Sequence, residues 1–500
     1  MADRRMLRSA VCIAALMGAG TAQADVTAAQ VWEDWKEQMA LYGDDSLSIG
    51  AEEASSGSVT VRDLAITFSD DEVDVVTEVG DIVFAEQGDG TVLITMDESY
   101  PIVVTGADGA VITIDVTQSN LEMVVSGDPD AMSYAVSADS YGVAFRDIKD
   151  GDVTIEGDAS LIATGISGGY TMAVGEMRQI TSEASIDSID ILVDFQMPGG
   201  TGEYVTGAAK LSNLTSRGDV TMPLEVDMEA PEEMFAKGFS IDGGYQIGGG
   251  EYVFDINSEG EQAAGSVSSG PVSLTAVFNK DTIAYTSSTQ DVSMSMQASS
   301  FPLPIELSMA QYGVGFQMPL GVTEEPAPFG LSFDLVDLEI SETIWSLFDP
   351  AAVLPRDPAT LQIGLSGTAK ALIDILDPAN AEALESEEVP FEPYSLSLDT
   401  LRISAAGALV TGSGAFTFDN EDTQTFAPMP RPEGDAIIEI TGLNKLLDNL
   451  VAMGLVPADQ IMGPRMMMGM FARATGDDQM EIAVEVTPSG QVNVNGNRVR

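Results

Sequence analysis

Apolar residues at every second position, in run after run from Leu47 to Ile340, leave this chain few architectures. Val92, Ile94 and Met96 alternate, as do Ile112, Ile114 and Val116. The same spacing returns at Ile189, Ile191, Val193 and Phe195, and again at Tyr252, Phe254 and Ile256. Side chains two residues apart share one face of a strand, so each run presents one apolar and one polar face. A helix needs a period near 3.6 and cannot use such a pattern. Val59 and Val61 keep one phase and Leu64, Ile66 and Phe68 the other, so the shift at Arg62-Asp63 predicts a bulge or bend. Turn residues punctuate the runs at Gly88-Asp89-Gly90, Ala107-Asp108-Gly109, Asp150-Gly151-Asp152, Pro198-Gly199-Gly200 and Ile241-Asp242-Gly243-Gly244. Sequential strands pair most economically with their neighbours. The expected fold is therefore mainly β: an elongated, curved, largely antiparallel meander with an N-terminal helix and a few short helices in the C-terminal third.

Helical spacing holds at the edges of this pattern. Thr27 and Gln30 form a capping box, and Ala28, Val31, Trp32, Trp35, Met39 and Tyr42 follow on one face, with Gly43 as the stop. This helix reads as a plug at one end of a sheet. Glu33, Asp34 and Glu37 on its other face disfavour docking to anionic lipid. Later, Ile344, Trp345, Leu347 and Phe348 predict a short helix ended by Asp349-Pro350. Ala371, Leu372, Ile373, Ile375 and Leu376 predict another, ended by Asp377-Pro378. Thr441 is placed to cap a helix carrying Leu443, Leu446, Leu447, Leu450 and Val451, which ends at Gly454. A second helix after Pro457 leads to Met466, Met467, Met468, Met470 and Phe471, and a hairpin around Pro488-Ser489-Gly490 closes the chain. No strict repeat period appears. The organisation read from sequence is a leader at 1–24, the helix at 25–43, a β-rich region at 44–340, and at 341–500 a β-rich region with short helices that packs on or continues the same sheet.

The leader reads as a secretory signal peptide. Arg4, Arg5 and Arg8 precede the apolar run Ser9 to Gly20, and Ala22-Gln23-Ala24 is an A-x-A cleavage site. Cleavage after Ala24 removes Asp3 and those three arginines, leaving 21 − 3 = 18 basic and 79 − 1 = 78 acidic residues, a net charge of −60. It also removes Cys12, the single cysteine, so the mature chain holds no thiol. No later stretch supplies the ~18 uninterrupted apolar residues of a membrane-spanning helix. The expected location is the periplasm.

Composition closes off whole classes of chemistry. The chain has 0 histidines, which removes Ser-His-Asp and Cys-His catalysis and every histidine-ligated metal site. A charge of this sign repels nucleic-acid phosphates and anionic membranes. Gly165-Ile166-Ser167-Gly168-Gly169 matches the nucleophile-elbow pattern but lacks a base, and reads as a glycine-rich turn between strands. Two carboxylates could in principle hydrolyse a glycoside, yet such sites use tryptophan platforms and only Trp345 lies outside the first helix. Asp419, Glu421 and Asp422 lack the glycine turn of a calcium loop and read as a solvated acidic loop. Gly248-Gly249-Gly250 opens no helix and is followed by no lysine, so it is no phosphate cradle. The methionines at 466–470 read as core packing of a terminal helix, with a pliable contact surface as the alternative. No catalytic, cofactor-binding or metal-binding residue is predicted.

Two stretches carry a resemblance. Ser58, Val59, Val61, Asp63, Leu64 and Ile66, followed by Gly88-Asp89-Gly90-Thr91-Val92, resemble DUF2125, an uncharacterised secreted family of alphaproteobacteria. The segment Gly442-Leu443-Asn444-Lys445-Leu446-Leu447, then Gly454-Leu455-Val456 and the terminal Gly490-Gln491-Val492-Asn493-Val494-Asn495-Gly496, is similar to AsmA-like periplasmic envelope proteins. The first resemblance brings no activity. The second implies a curved sheet whose concave apolar face holds acyl chains. The expectation is a non-enzymatic periplasmic protein that shelters or binds a lipid or another envelope component. The alternatives are a structural or interaction protein with a filled core, and a carboxylate-dependent hydrolase.

Overall fold

The computed structural model describes residues 26–40, 47–69, 73–107, 109–150, 153–197, 202–224, 231–380 and 390–500. The leader, its cleavage site, Tyr42, Gly43 and the turn residues Asp108, Gly151, Asp152 and Pro198 to Gly200 lie outside them. Strands make up 67% of the molecule, so helices only cap or connect. The chain divides into two compact units. One comprises Met1–Val226, Ile241–Pro271 and Met296–Pro302; the other comprises Asp227–Ser240, Val272–Ser295 and Leu303–Arg500. Residue 340 falls inside the second.

The first unit opens with α1 (Ala28–Ala40), β1 (Leu47–Ser48), β2 (Ala51–Ser55), β3 (Ser58–Ser69), β4 (Val73–Glu86), β5 (Val92–Met96), β6 (Ser99–Gly106) and β7 (Val111–Ser119). It continues with β8 (Glu122–Asp128), β9 (Ala131–Asp150), β10 (Val153–Val174), β11 (Met177–Gln196), β12 (Tyr204–Pro223), β13 (Ser240–Ile247), β14 (Gly249–Ser258) and β15 (Glu261–Ser269). Pairing is antiparallel and mostly sequential. β4 pairs with β5 and β6 in succession, and β9 pairs with β8 and β7, so each short pair occupies one long strand position. The capping box at the start of α1 forms as expected. Thr27 N–H donates to Gln30 Oε1 at 2.9 Å, and Gln30 N–H returns to Thr27 Oγ1 at 3.3 Å. The helix lays Val31 and Trp32 onto Val61, Phe84, Ile94, Val125 and Tyr134, and this cluster is the best-buried core in the described chain. The Trp32 and Trp35 rings lie 5.5 and 5.3 Å from that of Phe84.

The bend read at Arg62-Asp63 is real and belongs to a line of them. Asp63, Gly80, Asn120, Gly165 and Asn213 have φ of 49°, 83°, 52°, 62° and 52°, one on each of five strand positions of the first unit. Asp, Asn and Gly enter this left-handed region at least cost. Side chains tie adjacent bends together: Arg62 Nη1 donates to Asp81 at 2.8 Å, and Asn120 Nδ2 to Asp139 at 2.5 Å. Each bend reverses the inward phase. On β10 the buried apolar side chains are Ala159 and Ala163 before Gly165 and Met172 after it. The sequence Gly165 to Gly169 is thus a mid-strand irregularity within β10, not the expected turn.

The second unit contains α2 (Pro231–Ala236), β16 (Val272–Phe278), β17 (Thr282–Ala298) as far as Ser295, β18 (Phe301–Pro319) from Leu303, β19 (Ala327–Ile340), α3 (Glu342–Phe348), β20 (Ala359–Ala371), β21 (Phe391–Ala405) and β22 (Ala408–Asp419). It ends with β23 (Arg431–Thr441), α4 (Leu443–Ala452), α5 (Met462–Phe471), β24 (Arg473–Gly476), β25 (Gln479–Val486), β26 (Val492–Val494) and β27 (Asn497–Arg498). β18 to β23 pair in chain order and β25 continues beside β23, all antiparallel. The closing hairpin pairs Val486 with Val492 as expected.

Three local expectations are corrected. Residues 371–376 form no helix: Ala371 ends β20 opposite Phe391, the Ile375 N–H donates to Leu320 O at 2.9 Å, and Asp374 takes the Leu376 N–H at 2.9 Å. Strand pairing and a competing carboxylate outweigh a short apolar run. Thr441 does not cap α4 but ends β23; Gly442 sits at φ 74°, and the Asp478 carboxylate accepts the Asn444 and Lys445 N–H groups at 3.2 and 3.0 Å. Ile241 to Gly244 lies inside β13, where a Cβ on Gly243 would stand 2.9 Å from Arg217 O. That glycine serves close strand approach rather than a turn.

Candidate ligand-binding face

The groups singled out by motif are occupied structurally. Ser167 Oγ lies 2.8 Å from Ser185 Oγ on the neighbouring strand, and the two hydroxyls satisfy each other. Asp422 accepts from Thr425 Oγ1 at 2.7 Å and Arg431 Nε at 3.0 Å, and Asp419 takes the other side of Arg431. The Thr425 hydroxyl, its N–H and then the guanidinium hold the Asp422 carboxyl below the usual carboxylate range. This trio clasps the β22–β23 connection. Trp345 packs against Phe348 in α3, with the Arg356 guanidinium 5.4 Å from its ring. Gly249 and Gly250 begin β14. Among the described residues, no group of three or more Cys, Asp or Glu is placed to hold a metal ion. A shallow depression of about 540 Å³ in the first unit sets Leu192, Ala208 and Val253 between Asp158, Asp194 and Asp255, a lining that repels anions.

What the second unit builds is a continuous face. Cross-strand partners lie on the same side of a sheet, so the register aligns apolar residues in rows. One row runs Val314, Phe333, Ile363, Leu401, Gly412, Ile438 and Ile482, from β18 to β25. The next runs Phe316, Leu331, Leu365, Leu398, Gly414, Ala436 and Val484. Rows through Leu335, Leu361 and Ile403, and through Phe329, Leu396 and Phe416, flank them. The opposite side is polar: Asp334, Gln362, Arg402, Thr411, Glu439 and Glu481 form one row, with Gln362 Nε2 donating to Asp334 at 2.8 Å.

The apolar side is only half covered. Within these rows Ile440 and Val486, at the β23–β25 edge, are buried, whereas Tyr312, Leu331 and Ile403 remain 43%, 51% and 41% exposed. Glycines shape the surface. A Cβ on Gly367 would stand 2.5 Å from the Phe329 ring, and one on Gly414 2.5 Å from Ala436 Cβ. Both positions let a neighbouring side chain lie flat. The alternation of each strand is legible in the sequence. The register that aligns the strands is not, and it is what turns separate stripes into one surface.

At the end of β23, α4 and α5 interrupt the sheet before β24 returns to it. The methionines of α5 are not core: Met466, Met467 and Met470 are 64%, 60% and 68% exposed. Five α-helices occur among the described residues, and no helix there is long and apolar enough to cross a membrane.

A family model described as "Uncharacterized protein conserved in bacteria (DUF2125)" matches residues 207–489. Neither a search of curated proteins nor one of solved structures finds a match.

Proposed function

The chain belongs to the DUF2125 family, whose model covers more than half of it, and from that premise we propose that it is an exported, non-enzymatic periplasmic protein that shelters the acyl chain of a lipid on the apolar face of its second unit. The observation that carries this reading is the seven-strand apolar face with Tyr312, Leu331 and Ile403 standing open. Soluble proteins rarely expose contiguous apolar patches above a few hundred Å² unless something docks there. The rows fit an extended hydrocarbon. Six inter-strand spacings of ~4.8 Å make a track of roughly 29 Å, while one leaflet's acyl layer spans about half of a ~30 Å hydrocarbon core. The side chains lining the track are aliphatic and aromatic, so they reward burial of CH₂ groups without directional demands.

Absence of a reactive constellation in the sequence supports a binding role over a catalytic one. The polar side of the same sheet, lined by Asp334, Glu439 and Glu481, keeps such a carrier in water. The test is native mass spectrometry of mature protein extracted without detergent. Adduct masses of a lipid, released by organic solvent, are the expected result. A bare protein that also fails to take up a fluorescent fatty acid would overturn the reading in favour of a closed, self-filled sheet.

A further inference from the structure

The proposed function leaves unexplained how lipid would leave a bilayer for a protein of charge −60. The surface of α5 answers this. Met462, Met466 and Met470 stand at i, i+4 and i+8 down one face of the helix, Met467 and Phe471 lie on the adjoining face, and in chain order the five are 63%, 64%, 60%, 68% and 41% exposed. Nothing approaches within 4 Å of a Cβ built on Gly463 or Gly469, so the helix surface is open at those two positions. Elsewhere the surface is crowded with carboxylates, yet none occurs between Asp459 and Asp477. The two basic residues of the segment are already paired. Arg465 Nη2 contacts Asp448 at 2.6 Å and Asn444 O at 3.1 Å, which fixes α5 to α4, and Arg473 contacts Glu481 at 2.5 Å. The patch is therefore apolar, pliable and close to neutral.

We propose that α5 is a membrane-docking helix that inserts its methionine stripe into the interface of a zwitterionic lipid surface. The inference rests on the lipid-sheltering reading. Charge selects the occupant. A basic amphipathic helix binds anionic lipid through its arginines and weakens with salt. Here both arginines already pair with carboxylates and the rest of the molecule repels anionic headgroups, so docking must be driven by apolar burial. It is expected to fall as anionic lipid is added and to rise as salt screens the repulsion. Unbranched thioether side chains adapt to a disordered acyl boundary and offer no fixed shape to a protein partner. Position favours the same role. α5 lies in the β23–β24 connection, beside the strand end where Ile440 and Met480 close a row of the apolar face.

Flotation of the mature protein with phosphatidylcholine–phosphatidylethanolamine vesicles tests the proposal. Binding is expected to fall when phosphatidylglycerol is mixed in, to recover at high salt, and to drop about tenfold or more in the double variant Met466→Glu/Met470→Glu. Thermal unfolding of the variant should match the parent, since these side chains make no core. No flotation of the parent, equal flotation of the variant, stronger binding to anionic vesicles, or a dimer that the same variant dissolves would each overturn it. Native mass spectrometry keeps the two claims apart. Lipid adducts on a parent that does not float would sink the docking helix and leave the sheltering face standing.

Discussion

Trp32 shows how much of this fold hangs on single side chains. It is 1% exposed, packed on Phe84 and Val61, and its indole N–H donates to Glu52 Oε2 at 2.9 Å. Beside it Asp34 takes the Tyr134 hydroxyl at 2.5 Å, and burial, then the neighbouring Tyr170 and Asp34, push that phenol far above its usual range. Trp32→Ala removes the centre of the core and takes the indole donor from Glu52, leaving that carboxylate with Lys36 at 3.9 Å. It is expected to lower stability by about 3–5 kcal/mol, read as a fall in the urea midpoint of the first unit's transition. Arg178 is the opposite case. Its Nε and Nη1 are buried without a hydrogen-bond partner, on a strand position opposite Val174 and Met222. A desolvated, unpaired donor costs roughly 1–3 kcal/mol. Arg178→Met keeps the stem and deletes the orphaned donors, so stability should hold or rise, by about 1 kcal/mol, in the same denaturation experiment. A marked loss would mean that the guanidinium is paired in solution.

Elements held by remote residues were the hardest to read from sequence. α1 carries its own start signal, and the Thr27–Gln30 box predicted it correctly. The bend at Asp63 was equally legible, because the apolar phase changes within two residues. The apolar spacing of α4 is legible in the sequence, but its cap is not. Its N-terminal donors are met by Asp478, which lies 33 and 34 residues beyond Lys445 and Asn444, and no local pattern encodes that. The helix expected at 371–376 failed for a related reason: the partner strand at Phe391 decides the backbone there. Asp478 makes the cap testable. Burial raises its pKa, but the Lys445 N–H and the Asn444 amide and N–H outweigh burial, so it lies below the ordinary 3.8. A carboxylate with a depressed folded pKa stabilises fully above its unfolded value, and that contribution is lost as pH falls through the folded one. Protection of the Asn444 and Lys445 amides, taken relative to the unstructured exchange rate at each pH, should therefore fall as the solution is acidified below pH 3.8. In Asp478→Asn, which keeps one acceptor oxygen but no charge, that protection should already be lower at neutral pH and change little on acidification. Equal protection in parent and variant would show that Gly442 and the β23 end hold the helix without a cap.

The whole molecule is a contest between a half-open apolar face and an acidic one. On the polar side Asp435 stands directly opposite Glu485, and Glu439 opposite Glu481, pairings that destabilise a sheet unless screened or bridged. Arg473 pairs with Glu481, one member of the second pair, while no ion pair is seen among the described residues for the first. The molecule keeps these repulsions on the outside and leaves aliphatic rows uncovered on the other side. A chain built only for stability would bury the aliphatic rows. The contrast between the two units makes the question decidable. Phe84 is 0% exposed in the core of the first unit, so Phe84→Ala should cost about 3–5 kcal/mol. Ile363 and Leu398 lie in adjacent rows of the second unit's face and are only half-buried. If that face meets a ligand rather than a second layer of protein, Ile363→Asp/Leu398→Asp places two carboxylates on a surface that water already reaches. The folded state should survive, with far-UV circular dichroism unchanged and a melting temperature lowered by only a few degrees, while co-purified lipid disappears from the native mass spectrum. If the face is a filled core, burying two unpaired charges would cost several kcal/mol each and the second unit would unfold outright. Retention of structure with loss of lipid is the outcome that this architecture predicts.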